Sequence, residues 1–104
     1  MPDPAEQLAR LHQAGFEIRT FDRYPRAVVI VRGNCIALYE PQAEGLKRIG
    51  QAGWRIGDAI AVLVERNGKR FYQAKNEIVQ ANRERLQAVR DFEADVSRML
   101  LSTA

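Results

Sequence analysis

The sequence predicts an α+β fold: an antiparallel meander sheet or small barrel of five to seven strands, with a short N-terminal helix and a long C-terminal helix packed on it. Three observations carry this. Asn67-Gly68 and Gly33-Asn34 each stand between apolar runs of strand-forming residues, as two-residue hairpin turns do. After Lys75 the spacing of apolar residues changes from two to three or four. A chain of 104 residues has room for one domain with a real core and no second one. The expected layout is therefore a single domain over 1–104, with a helix over 4–14, a β region over 16–79 and a helix over 83–101.

Asp3-Pro4-Ala5-Glu6 reads as a helix start, with Asp3 as the cap and Pro4 in the first turn. Leu8, Leu11 and Ala14 supply a short apolar stripe, and Gly15 stands where a C-terminal glycine ends a helix. His12 lies at the edge of that stripe and reads as a partly buried surface histidine. "FEIRTF" then alternates, with Phe16, Ile18 and Thr20 against Glu17, Arg19 and Phe21, which predicts a half-buried strand. Pro25 in "DRYPR" breaks it, because proline cannot donate to a ladder.

"AVVIVRGNCIALYE" is a hairpin whose glycine-first turn suits type II′. That register sets Val31 opposite Ile36, Val29 opposite Leu38 and Val28 opposite Tyr39. In "AIAVLVERNGKRFYQAK" the Asn-Gly turn suits type I′ and sets Val64 opposite Phe71, Leu63 opposite Tyr72 and Glu65 opposite Arg70. Both hairpins are apolar on both faces. A hairpin of that kind is expected to be covered on both sides, in mid-sheet or in a barrel wall. Between them, "PQAEGLKRIGQAGWRIGD" has a glycine every three to five residues. Short strands near 46–49 and 53–56 joined by tight turns are expected, with Gly57-Asp58 opening the next hairpin.

Leu86, Val89, Phe92, Val96, Met99 and Leu100 recur at helical spacing, with Asn82 or Asn76 as cap. Leu86, Val89, Phe92 and Val96 are expected to be buried with Val29, Leu38, Val62, Val64 and Phe71. In order of elements this arrangement is similar to pleckstrin-homology-like barrels, whose last element is also a helix. The similarity is one of topology and carries no function.

The charge pattern is informative by its distribution. Net charge is +3, and residues 1–40 and 80–104 are each balanced, with five and four charges of either sign. The surplus lies in 41–79, with seven basic against four acidic residues. No block of like charge marks a nucleic-acid arm. No apolar run approaches the roughly 20 residues that span a bilayer. The N-terminus lacks the pattern of a signal peptide, so the expected location is cytoplasmic, with no membrane partner.

Little in the sequence points to catalysis. Cys35 and His12 are each the sole residue of their kind, so no internal disulfide and no zinc site is expected, and no cofactor. The glycine run is neither a dinucleotide fingerprint nor a phosphate loop. No pair of carboxylates stands out for acid–base work. The reading is a small protein-interaction module, more readily non-enzymatic than an enzyme. The alternatives are a weakly basic nucleic-acid-binding domain and a small-ligand-binding barrel. For a ligand or nucleic-acid surface the candidates are Tyr24, Arg26, Arg48, Trp54 and Arg55, where aromatic and cationic residues cluster. Self-association as a homodimer is expected through Met99, Leu100 and Leu101, the alternative being that they fold back under the N-terminal helix against Leu8 and Leu11. A helix over 83–101 is about 28 Å long and cannot place all three on one inner stripe.

Overall fold

A computed structural model of the chain describes residues 3–57 and 59–101. The first helix, α1 (Pro4–Gln13), starts where Asp3 accepts a hydrogen bond from the Ala5 amide at 3.0 Å. It is followed by Gly15 at φ +97°. Seven strands come next: β1 (Glu17–Arg19), β2 (Val28–Arg32), β3 (Cys35–Gln42), β4 (Gly45–Ile56), β5 (Ala59–Arg66), β6 (Lys69–Ala74) and β7 (Glu77–Gln80). The last helix is α2 (Arg83–Leu101). Asn82 is its cap, accepting from the Arg85 amide at 2.9 Å. Asp58, read above as a turn residue, lies outside the described residues.

The strands form one antiparallel sheet in chain order, curled into a half-barrel with β1 and β7 as its edges. Both hairpin registers agree with those derived from the turns. At the second turn Asn67 and Gly68 both have positive φ, as type I′ requires. At the first turn Gly33 alone does, which fits type II′.

The glycine-rich stretch departs from expectation. It is one continuous strand of twelve residues, not two short ones joined by turns. The insertion is absorbed as a bulge: Ile36 pairs with Gly53 and Leu38 with Ile49, so three residues of β4 face the single residue Ala37. Gly50, at φ +70°, supplies the backbone that this requires. Beyond the bulge β4 pairs with β5 over only three positions, Trp54–Ala61, Arg55–Ile60 and Ile56–Ala59. Gly53 sits where the strands diverge, and a Cβ there would run into the Ala61 carbonyl.

The helices cover the inner face of the β1–β4 half. Leu11, Phe16, Ile30, Ala37, Tyr39, Ala61, Tyr72, Val89, Phe92 and Val96 form the main core. Two ion pairs pin α2 down: Arg32 to Asp95 at 2.8 Å, and Arg48 to Glu93. Gln7 is buried between elements, accepting from the Leu46 amide at 2.7 Å and donating to the Leu100 carbonyl at 3.5 Å. Met99 and Leu100 pack on the core, while Leu101 stays outside it.

The expected partners of α2 need correction. Val89, Phe92 and Val96 are buried and Leu86 is partly so, but they meet the side of the sheet that carries Ile30, Ala37 and Tyr39. Val29, Val31 and Ile36 point to the outer face and form a second cluster with Phe21, Leu38 and Ile60. Since side chains alternate along a strand, placing the helix on the wrong parity exchanges every partner at once. The residue that closes this outer cluster is Phe21, carried by the turns that follow β1. In those turns the Tyr24 amide donates to the Phe21 carbonyl, and the Ala27 amide to that of Tyr24.

The expectation of cover on both sides holds for β2–β3 and fails for β5–β6. Val62 is 48 % exposed, and Val64 and Phe71 are only half-buried.

Candidate functional site

The half of the sheet formed by β5, β6 and β7 is the part left open. Register fixes its outer face. Val62 lies opposite Gln73, which lies opposite Ile78; Val64 lies opposite Phe71, which lies opposite Gln80. Ile60 extends this surface at the start of β5, and Arg66 and Lys69 end it at the hairpin tip. Ile78 is 51 % exposed. The outer face of these three strands therefore carries apolar residues around the central amide of Gln73, a second amide at Gln80 and two cations. None of its described residues is a carboxylate, because Glu65 and Glu77 point to the other face. Arg66 reaches across it to donate to the Gln73 side chain at 3.1 Å.

The free edge of β7 is partly blocked. The Ala81 amide donates to the Arg70 carbonyl, so the amides and carbonyls of Ile78 and Gln80 point away from β6. The Gln80 carbonyl accepts from the Arg85 guanidinium at 2.9 Å. A cation on an edge carbonyl obstructs strand addition, whereas the face beside it stays open.

The five residues proposed as a ligand surface are dispersed among other tasks. Trp54 is half-buried, stacks on Tyr72 at 6.2 Å and has the Arg85 guanidinium 5.7 Å from its ring. Arg48 is paired with Glu93 of α2. Arg55 donates to the Gly57 carbonyl at 2.9 Å and lies 4.0 Å from Glu17. Tyr24 is half-buried within the turns after β1, and Arg26 is exposed there. A separate open cleft of about 860 Å³ lies between the Ile18–Arg23 segment, Ala59 and Lys75. Its wall includes three cations, Arg19, Arg23 and Lys75, and one carboxylate, Asp22.

Two buried groups that could carry chemistry are shifted towards their protonated forms. Burial pushes the Cys35 thiol up, against the opposing pull of Arg32. Burial likewise pushes the Tyr39 hydroxyl up to about 12, with Arg48 acting in the other direction. Both stay protonated at neutral pH, and the thiolate is the reactive form of cysteine. His12 is exposed on α1. Among the described residues no group of three or more His, Cys, Asp or Glu side chains is placed to hold a metal ion. No described helix is long and apolar enough to cross a membrane.

The open face was not found from the sequence. The sequence pattern places Val62, Val64 and Phe71 in the core and does not distinguish Ile78 from other strand residues. A signal was available in the dimensions of the elements. A helix about 10 Å across covers roughly two strands spaced about 4.8 Å apart, so one long helix cannot cover seven. No protein-family model, curated protein or solved structure matches this chain, and the functional reading rests on its own residues.

Proposed function

We propose that this chain is a small non-enzymatic protein-interaction module, and that its contact surface is the outer face of β5–β7. The observation that carries the reading is the exposure of Val62 and Ile78 on one face, on either side of Gln73, with Val64 and Phe71 on the same face. Aliphatic side chains gathered on one open face mark a surface that another molecule covers. The nucleic-acid alternative has less support, since Arg48 and Arg55 are already engaged by protein groups.

The test is a photo-crosslinking residue at position 78, with a second at position 13 on exposed α1 as control. The reading requires a defined protein adduct from position 78 that position 13 does not give. Equal adducts from both positions, or none from position 78, overturn it.

Self-association as a homodimer is a second proposal at a separate place. It is supported by Leu101, which is 76 % exposed at the end of α2, while Met99 and Leu100 beside it pack on the core. Sedimentation equilibrium decides it. A clean 11.8 kDa monomer, unchanged by Leu100→Ser with Leu101→Ser, removes the dimer.

A further inference from the structure

We infer that the partner of the β5–β7 outer face is an amphipathic helix with acidic flanks, supplied by a different protein. This rests on the reading of that face as a contact surface and names what it takes. The same sheet already holds such a helix on its other side. There α2 lays Val89, Phe92 and Val96 against the sheet. Its Glu93 and Asp95 reach the sheet arginines Arg48 and Arg32. An apolar strip with cations at its margin is thus met by an apolar stripe with carboxylates beside it.

The outer face of β5–β7 repeats the sheet side of that arrangement without the helix. Val62 and Ile78 are its exposed apolar residues, on either side of Gln73; Arg66 extends from the tip to the Gln73 side chain, Lys69 lies at the tip, and Lys75 lies in the turn at the other end, beside the cleft that also holds Asp22. With no carboxylate among the described residues of that face, its charge is complementary to an acidic ligand and repels a basic one. A helix suits it better than an added strand, because Arg85 already occupies the Gln80 carbonyl on the β7 edge. A helix laid on a sheet face makes its contacts through side chains and needs no free edge.

A second copy of this chain does not provide the occupant. The apolar stripe of α2 is buried on its own sheet. The side of α2 turned away carries Arg83, Gln87, Arg90 and Arg98 among its acidic residues. Two copies set face to face would also bring like charges, Arg66 and Lys69, onto surfaces that hold no carboxylate to receive them.

The probe is a synthetic helical peptide of about 18 residues, roughly five turns, with leucine at every third or fourth position and glutamate on both flanks. A matched peptide carries lysine in place of glutamate. Fluorescence anisotropy against the full chain is expected to show the acidic peptide binding more tightly, by roughly tenfold at low salt. Val62→Asp with Ile78→Asp should abolish this binding. Arg66→Glu with Lys69→Glu should reverse the preference between the two peptides while circular dichroism stays unchanged. Equal binding of both peptides, or binding that survives Val62→Asp with Ile78→Asp, overturns the inference. So does self-association that the same pair of substitutions abolishes, or partition onto phosphatidylserine vesicles with no peptide binding. If the position 78 crosslink forms and the peptide preference is absent, the contact surface stands and the acidic helix falls. If neither is seen, both fall.

Discussion

In the β2–β3 hairpin Val29, Ile30 and Ile36 expose no surface, while in the β5–β6 hairpin Val62 is 48 % and Leu63 37 % exposed. The two are built alike. Each has a two-residue turn with a positive-φ glycine, apolar residues on both faces and an antiparallel register set by the turn. What differs lies outside them. The first has α2 on its inner side and the Phe21 segment on its outer side. The second joins the rest of the sheet through three residue pairs of β4. The fate of an apolar strand face is thus decided by what the rest of the chain can bring over it.

The largest effect should come from one residue type placed in both regions. Ile36 and Ile78 both point to the outer face, the first fully buried and the second 51 % exposed. Ile36→Ala leaves a cavity in a closed cluster and is expected to cost about 3 kcal/mol. Ile78→Ala should cost below about 1 kcal/mol, because water already reaches that side chain. Urea denaturation of both variants measures the contrast. Equal losses would mean that the two faces are equally covered in solution.

Next in size is the joint between the regions. Gly53→Ala would force a methyl group into the Ala61 carbonyl, a backbone atom that cannot turn aside. A loss of about 1–3 kcal/mol is expected, as for other overpacked sites. Amide exchange should speed up across β5–β7 more than across β2–β3. A uniform change would show that the joint does not separate two regions.

Phe21→Ala should turn the first region into something like the second. Phe21 is only half-buried, so a stability loss of about 1–2 kcal/mol is expected, below that of a fully buried phenylalanine. With it gone, the face bearing Val29 and Val31 opens, and binding of a hydrophobic dye should rise. Dye binding at the wild-type level would show that another group covers that face.

The comparison also explains what was legible in the sequence. Registers, caps and the order of elements are set within a few residues, by Gly33-Asn34, Asn67-Gly68, Asp3 and Asn82, and were readable there. Gly50 illustrates the limit: a single glycine signals a break in the chain, but a bulge and a turn need the same φ. Assigning α2 to the face of Val29 and Val62 failed because both parities of those strands are apolar. Parity is legible only where one face is polar. The open face around Ile78 escaped notice for a related reason. Strand residues that await a partner look like strand residues already in a core, since both are made of the same β-branched side chains.

A smaller effect tests the fixing of α2 over the closed half. The hydrogen bond from the Arg32 guanidinium holds the Asp95 carboxyl below the usual carboxylate range, and Arg98 adds to this. Because the folded-state pKa is the lower one, the contribution is fully present above the unfolded value of about 4. It is lost as pH falls through the folded value. Arg32→Gln should therefore flatten the acid limb of stability while Arg66→Gln, on the open half, leaves its shape unchanged. Identical acid limbs in wild type and Arg32→Gln would show that the pair does not fix α2.

The smallest stability change should come from Val62→Thr with Ile78→Thr. Threonine keeps the branched Cβ that suits a strand, and at both positions its hydroxyl would meet water, so there is no buried polar group to satisfy. A change within about 0.5 kcal/mol is expected, as for other open surface sites. The same replacement in the closed region, at Val31, would bury a hydroxyl at 2 % exposure and should cost about 1–3 kcal/mol. Binding should rank the two variants the other way. The open-face pair removes apolar area from the surface a partner covers and should weaken binding of the acidic peptide, whereas Val31→Thr should leave it unchanged so long as the chain is folded. A double threonine variant that loses stability as Val31→Thr does would mean that Val62 and Ile78 are already buried in solution, and that the face is closed.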